Sequence, residues 1–167
     1  AKYCGSKLPV VRKVDGISVI VIVGDDLQWF ETGMPHFLAQ KVVEMELVVI
    51  EVDTSPDFSD VMKDAKRHFP NLTSVRIETD PRFPLNNKTA FNVGIKTARY
   101  ENIIRTTADT RPASTKWLEC MAQGFERGEV LIAYAGLERK GGFANGVMRS
   151  QRLAESVRYL SAAIKGK

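Results

Sequence analysis

The sequence lacks the short motifs by which many α/β proteins bind nucleotides. No GxGxxG follows the first strand-like run, and no GxxxxGK followed by Ser or Thr occurs in the 167 residues, which disfavours a Rossmann dehydrogenase and a P-loop NTPase. Histidine and cysteine are scarce, with 2 of each. Cys4 and Cys120 form no CxxC or Cys/His group of the kind that holds structural zinc. We therefore expect reduced thiols in a cytoplasmic protein.

Long apolar runs and an extended basic face are also missing. No stretch approaches the roughly 18 to 20 apolar residues that a membrane span needs, and no secretory signal is visible. The net charge of +4 comes from the end of the chain, because seven of the 24 basic but only two of the 20 acidic residues lie from Glu138 onward. Nucleic acid is not an expected partner, since its binding would be better supported by basic and aromatic residues interleaved across the domain.

Apolar residues make up 44% of the chain, which is enough for one domain with a sizeable core. Runs rich in β-branched residues alternate with segments of helical spacing. The predicted strands are 17–23, 46–52, 73–78, a fourth through Ile103 and Ile104 to Thr107, and 129–135. The predicted helices are 27–43, 57–69, 87–100 and 114–127. This order predicts an α/β fold with a doubly wound, mostly parallel sheet and helices on both faces.

Three details of the predicted helices can be tested by a structure. Gly33 and Pro35 must bend or interrupt the first helix. In the third helix, Phe91, Ile95 and Ala98 fall on one face, which we expect to be the buried one. Ser114 is the predicted N-cap of the fourth helix.

The chain divides into four predicted regions. Residues 1–16 are a polar lead-in, residues 17–137 the domain, residues 138–146 a glycine-rich mobile loop, and residues 147–167 a basic amphipathic helix. Because the chain begins at Ala1 and ends without a terminating feature, we expect it to be a fragment of a longer protein.

Carboxylates follow three of the predicted strands at the point where each strand ends. They are Asp25 or Asp26, then Asp53, then Asp109. Ligands bind at the carboxyl ends of the strands in open α/β sheets, so these side chains would gather along one edge. An ionised carboxylate can accept the imino proton of uracil or guanine, or ligate Mg²⁺ or Mn²⁺ on a diphosphate. Helix capping and turn formation are the structural alternatives, and Pro112 stops the fourth strand from continuing and forces a loop.

Three segments, taken in their order and spacing, resemble the nucleotide-sugar-binding half of family 2 glycosyltransferases, which have the Rossmann-like GT-A fold. They are ISVIVIVGDD, LVVIEVDTSPD and NNKTAFNVGIKTARYENIIRTTADTRPASTKWLE, and the similarity covers about residues 17–135. The resemblance implies an inverting, metal-dependent hexosyl- or hexosaminyltransferase of glycan or polysaccharide synthesis. The implied partners are a nucleoside-diphosphate sugar and a glycan or lipid-linked acceptor, and the implied cofactor is Mn²⁺ or Mg²⁺.

The resemblance assigns roles in donor binding to five residues around the nucleoside and its diphosphate. Asp53 matches the aspartate that binds the nucleobase. Val23, the last residue of the first strand, is placed in the same donor site, and Gly24 and Asp25 after it match the aromatic–Asn pair where the base stacks. Because Gly24 offers no ring, we expect different base contacts there. Lys88 matches a basic position near the diphosphate.

Three further donor-binding residues lie at the end of the fourth strand or just after it. Asp109 matches the last aspartate of the DxD motif, which holds the metal, and Thr107 stands where the first aspartate would be. A threonine can hydrogen-bond a ribose or sugar hydroxyl but adds no negative charge. Arg111 either pairs with a phosphate or is a surface charge. The catalytic base is not assigned to any residue, because nothing after Ala135 matches one and Glu138 is only the nearest carboxylate.

Two other classes of function stay open. A nucleotide-sugar-binding module without turnover is expected if Thr107 has replaced a required carboxylate, or if the chain lacks its acceptor half. A nucleotidyltransferase would need a glycine-rich phosphate loop after the first strand, and GDDLQW supplies none.

The last helix has two interpretations. Its apolar face carries Leu153, Val157, Leu160 and Ile164, and arginines lie beside that face. By the resemblance, it begins an incomplete acceptor region and packs on the protein. Alternatively, residues 147–165 rest on an anionic leaflet, which would place the protein at the inner face of the membrane.

Overall fold

The computed structural model describes residues 13–40, 44–80 and 86–126, and residues 146–158 except 149, 152 and 156. The predicted strand 129–135, most of the lead-in and most of the loop 138–146 lie outside these ranges. The chain forms two compact units, residues 1–131 and 132–167. In the second unit the described residues between 146 and 158 are helical, as predicted for the start of the last helix. No helix in the described ranges is long and apolar enough to cross a membrane.

Four parallel strands form the sheet of the first unit, in the order β3-β2-β1-β4. Their bounds are β1 Ile17–Val23, β2 Met45–Val52, β3 Leu72–Ile77 and β4 Asn102–Thr107. The two central strands, β1 and β2, are buried along nearly their whole length. Burial on both faces explains why their sequences are almost continuous apolar runs.

Helices connect the strands and cover both faces of the sheet. Their bounds are α1 Leu27–Thr32, α2 Met34–Leu38, α3 Pro56–His68, α4 Asn87–Thr97 and α5 Trp117–Phe125. The predicted interruption at Gly33 is confirmed, since this residue separates α1 from α2. A Cβ at position 33 would lie 2.5 Å from Cδ1 of Trp29, so glycine lets the chain pass close to the buried indole ring.

The core consists of two layers, one on each face of the sheet. One layer joins side chains of α1, α2, α3 and α5 to the odd-numbered positions of β1 and β2, and the other joins α4 to their even-numbered positions. The members of the second layer that are fully buried are Ile20, Val48, Ile50 and Ala90. Helices on both faces of a parallel sheet confirm the predicted doubly wound α/β fold.

Helix α4 approaches the sheet through small residues. Ala90 and Gly94 are its buried positions, whereas Ile95 of the predicted inward face is 40% exposed. A Cβ at Gly94 would lie 2.6 Å from Cγ2 of Ile20, closer than real carbon atoms pack. The expected burial of Ile95 is therefore wrong, because the absence of a side chain at position 94 sets the face that α4 turns to β1.

Helix α5 does not begin where the sequence predicts. It starts at Trp117, and its N-cap residue, Lys116, makes no capping hydrogen bond through its side chain. Gln40 takes that role from a distant part of the chain, since its Oε1 accepts the Leu118 N–H at 3.0 Å. Its Nε2 also donates to the Ser114 carbonyl at 2.9 Å. The predicted cap at Ser114 is therefore wrong.

A buried carboxylate fastens the amino-terminal edge of the sheet. Glu46 in β2 is only 4% exposed. Its Oε2 accepts from Ser18 Oγ at 3.1 Å and from the Arg99 N–H at 2.8 Å, and its Oε1 accepts from Thr73 Oγ1 at 2.8 Å. Ser18 Oγ in turn accepts the Tyr100 N–H at 3.1 Å. These bonds tie β1, β2, β3 and the turn before β4 together.

Candidate functional site

The carboxyl ends of the four strands lie at one edge of the sheet, opposite the Glu46 edge. The carboxyl edge consists of residues 23–26, 53–55, 79 and 107–111, which follow or end those strands, together with the first turns of α3 and α4. Helices α3 and α4 begin at this edge because each returns the chain toward the start of the next parallel strand. The edge therefore collects the predicted carboxylates and the first turn of α4.

Asp53 has the most constrained geometry at the carboxyl edge. Its φ of 51° is left-handed, a conformation that is uncommon for any residue except glycine. Its Oδ1 accepts the Thr79 N–H at 2.8 Å and its Oδ2 accepts from Thr79 Oγ1 at 2.7 Å. The hydrogen bond from the Thr79 hydroxyl, followed by the one from its backbone, lowers the pKa of Asp53. This exposed carboxylate is therefore ionised at neutral pH.

Asp25 and Asp26 have different roles, which the sequence could not distinguish. Asp26 caps α1, because its Oδ1 accepts the Trp29 N–H at 2.9 Å. Asp25 connects the end of β1 to the end of β2, since its Oδ1 accepts from Ser55 Oγ at 2.8 Å. The same Ser55 hydroxyl accepts the Phe58 N–H at 3.2 Å and caps α3.

Val23 and Gly24 present little side chain to a ligand. Val23 is 1% exposed and belongs to the core, so it can offer a ligand only its main chain. Gly24 is exposed, and a Cβ built there would meet no atom within 4 Å. The carboxyl edge is consequently open beside the end of β1.

The turn after β4 brings Thr107, Asp109 and Thr110 together. Thr107 Oγ1 donates to Asp109 Oδ1, and the hydroxyls of Thr107 and Thr110 are 2.9 Å apart. The Thr110 N–H donates to the Thr107 carbonyl at 3.0 Å and closes the turn. The result is one exposed carboxylate flanked by two hydroxyls.

This turn fits a divalent cation only if other oxygen ligands are available. Within the described ranges, no group of three or more His, Cys, Asp or Glu side chains could hold a metal. Mg²⁺ is often bound through one or two carboxylates together with substrate phosphates and water. Asp109 supplies one carboxylate, so a cation bound there would need a phosphate ligand as well.

The two predicted cationic residues occupy different parts of the carboxyl edge. Lys88 is an exposed residue in the first turn of α4. Arg111 is also exposed, and its Nη2 donates to Thr32 Oγ1 at the end of α1, at 3.1 Å. Because the Thr32 hydroxyl is neutral, this contact does not neutralise the guanidinium, and its positive charge stays available to bind an anion.

Sequence reasoning missed two residues, one in β3 and one just after it, that hydrogen-bond to Asp53 and Thr54. Thr79 could have been found, because it is a small polar residue just after a strand, like the predicted carboxylates. Arg76 in β3 could not, since it lies inside a strand. Its Nη2 donates to the Thr54 carbonyl at 3.0 Å, and its Nη1 donates to Ser59 Oγ at 3.3 Å.

Several larger proteins of known structure resemble this chain. The mannosyltransferase PcManGT from Pyrobaculum calidifontis, solved with GDP-Man and Mn²⁺, aligns over 72% of the chain with a TM-score of 0.56 and 16% identity. S. aureus TarS 1-349 aligns over 76% with a TM-score of 0.60 and 22% identity. Its complex with UDP-GlcNAc gives a TM-score of 0.59 and 20% identity. No family model and no curated protein matches the chain.

At these identities the likeness establishes the fold. The resemblance to glycosyltransferases expected from the sequence is confirmed at that level. The chain spans 34% of the PcManGT chain and 38% of the TarS 1-349 chain, so it corresponds to part of each.

Proposed function

We propose that the chain is the donor-binding part of a family 2 glycosyltransferase, which moves a hexosyl or hexosaminyl group from a nucleoside diphosphate to an acceptor hydroxyl. The Asp53 carboxylate carries the proposal, because it is ionised, exposed and held in a left-handed turn at the carboxyl edge. Two proteins of the same fold have been solved with nucleotide sugars, GDP-Man in one and UDP-GlcNAc in the other. A nucleoside-diphosphate sugar is the ligand class that fits both observations.

In this proposal the base of the donor binds at the ends of β1 and β2. Each Asp53 oxygen accepts one hydrogen bond from Thr79 and has a further lone pair for the imino N–H of uracil or guanine. The open space beside Gly24 would take the ring of the base. Asp25 and the main chain of Val23 would border it.

The diphosphate would lie toward α4 and the turn after β4. Lys88 and Arg111 would supply positive charge to its oxygens, and Asp109 would hold Mn²⁺ or Mg²⁺ with Thr107 keeping its carboxylate oriented. A cation bound there supplies charge that stabilises the departing diphosphate. Because Asp109 is the sole carboxylate of residues 107–111, we expect cation binding to depend on the nucleotide.

The acceptor side of the reaction is proposed from the resemblance alone. We propose that the reaction inverts the anomeric carbon. The sugar would pass to a glycan or lipid-linked acceptor in polysaccharide synthesis at the cell envelope. The base that deprotonates the acceptor would lie in the part of the enzyme to which this chain does not correspond.

A cytoplasmic protein at the inner face of the membrane would touch lipid through residues 147–165. Co-sedimentation with anionic vesicles at low salt only would support that contact, and none at low salt would contradict it.

Calorimetric titration with UDP and with GDP, with and without MnCl₂, tests the proposal. We expect one of the two nucleotides to bind in the presence of Mn²⁺, and no heat from MnCl₂ alone. A nucleotide at 100 times its Kd should stabilise the fold by about 2.7 kcal/mol. Asp53→Asn and Asp109→Asn should each weaken binding, whereas Asp60→Asn, an exposed carboxylate on α3, should not. Nucleotide binding that is unaffected by both site variants would contradict the assignment.

A second candidate is a binding module without turnover, which is favoured by the presence of Thr107 where a carboxylate is expected. Thr107→Asp in the full-length enzyme separates the two candidates. Sugar transfer by the natural sequence would show that threonine is tolerated. Transfer only by the variant would support the module.

A further inference from the structure

A buried polar cluster lies directly beneath the Asp53 turn, on the face of the sheet that α3 covers. Its members are Glu51, Thr54 and Ser59, which are 3%, 3% and 6% exposed. The neighbouring core positions on that face, such as Val49 and Phe58, are apolar. Polar groups in such surroundings cost folding free energy unless they are hydrogen-bonded, so this cluster needs partners.

Arg76 links the cluster to the main chain next to Asp53. Ser59 Oγ donates to Glu51 Oε2 at 3.1 Å and accepts from Arg76 Nη1 at 3.3 Å. Arg76 Nη2 donates to the Thr54 carbonyl at 3.0 Å. The planar guanidinium, which also pairs with Glu78, therefore joins Ser59 and the Thr54 carbonyl at once, which a lysine ammonium cannot do in the same geometry.

The Thr54 carbonyl belongs to the turn that sets the direction of the Asp53 side chain. Asp53 has a left-handed φ of 51°, which for a residue with a Cβ persists only where surrounding contacts hold it. On one side the Asp53 N–H donates to the Ile77 carbonyl at 3.1 Å. On the other side Arg76 holds the Thr54 carbonyl, the first one after that of Asp53. Arg76 lies at the surface, where its Nη2 also pairs with Glu78 Oε1 at 3.3 Å.

We propose that Arg76, anchored by Ser59 and Glu51, is a positioning residue that holds the Asp53 carboxylate in the orientation in which it binds the nucleobase. The inference rests on the proposed function and adds to it a residue that does not touch the ligand. Loss of Arg76 should release the turn and weaken base binding through Asp53. A merely structural arginine would lower stability without any energetic coupling to Asp53.

A double-mutant cycle in nucleotide affinity tests this coupling. The variants are Arg76→Met, Asp53→Asn and the pair, titrated calorimetrically with UDP and GDP in MnCl₂. In the natural background Arg76→Met should weaken binding about tenfold, which is about 1.4 kcal/mol. In the Asp53→Asn background the same change should lower the nucleotide affinity by less than about twofold. Arg67→Met is the matched control, because Arg67 is 78% exposed and its ion pair with Asp64 is long, at 3.7 Å.

The outcomes separate this inference from the proposed function. Equal losses of affinity in both backgrounds would overturn the positioning role while leaving nucleotide binding in place. If the natural chain binds neither UDP nor GDP, the proposed function fails and the inference fails with it. Should Arg76→Met not fold, Ser59→Ala removes the anchor and keeps the arginine. It should also weaken binding, by about threefold, and only when Asp53 is intact.

Discussion

Replacing Glu46 should measurably destabilise the sheet, although this residue lies far from the carboxyl edge. Glu46→Met keeps a side chain of similar length and removes both acceptor oxygens. The three donors that it satisfies are Ser18 Oγ, Thr73 Oγ1 and the Arg99 N–H, at 3.1, 2.8 and 2.8 Å. Each then loses its acceptor, and Ser18, which is 0% exposed, cannot replace that hydrogen bond with one to water.

The size of the effect follows from these three hydrogen bonds. A buried donor that is left without a partner costs about 1 to 3 kcal/mol. Thr73 and Arg99 are partly accessible and can recover part of that loss in water. We therefore take the lower value for each donor and expect a loss of about 3 kcal/mol of unfolding free energy. Glu46→Gln keeps one acceptor oxygen and should lose about half as much.

Equilibrium urea unfolding, followed by far-UV circular dichroism, measures this loss. With a slope of about 2 kcal/mol per M, a loss of 3 kcal/mol lowers the midpoint by about 1.5 M. Glu44→Met is the matched control, because Glu44 is exposed and precedes β2 by one residue. If Glu46→Met unfolds at the same urea concentration as Glu44→Met, the three hydrogen bonds contribute nothing and the reasoning is refuted.

Two further predictions concern α4 and Asp53. Gly94→Ala gains about 1 kcal/mol of helix propensity but places a Cβ 2.6 Å from Ile20 Cγ2, which should cost about 1 to 3 kcal/mol. A net loss of stability in urea is expected, and a gain would show that α4 can move away freely. Thr79→Val removes the hydroxyl that most lowers the pKa of Asp53, so that pKa should rise toward its ordinary value of 3.8. A carboxyl group whose pKa is lowered by folding stabilises the fold at pH values above its unfolded pKa, and this stabilisation is lost as the pH falls through its folded pKa. The natural chain should therefore keep the contribution of Asp53 to a lower pH than the variant does. An unchanged Asp53 pKa in an NMR titration of the variant would contradict the assignment.

The strands were predictable from the sequence because their signal is local. Ile17–Val23 is apolar throughout and lies between glycines, and the structure gives the same bounds. The start of α5 was not predictable, because Gln40 caps it from 78 residues away. No spacing within Ser114–Phe125 contains that information. The face of α4 was missed for a related reason, since it depends on contact between Gly94 and β1.

The carboxylates of the candidate site were predictable from the sequence, but the residues that hydrogen-bond to Asp53 and its neighbour were not. Strand ends mark Asp53 and Asp109, since each follows an apolar run and precedes small polar residues. Thr79, just after β3, donates to Asp53, and Arg76 in β3 donates to the carbonyl of the next residue, Thr54. Pairing between β2 and β3 must be known before those residues can be connected with Asp53.

The strand order has a consequence for synthesis of the chain on the ribosome. Ile17 pairs with Asn102, so one edge of β1 waits for a partner that is made about 85 residues later. At about 5 to 20 residues per second, this delay lasts roughly 4 to 17 s. Throughout it, an apolar strand keeps a row of unpaired backbone groups open to other nascent chains. Translation speed across residues 24–101 therefore bears on how much of the protein reaches the folded state.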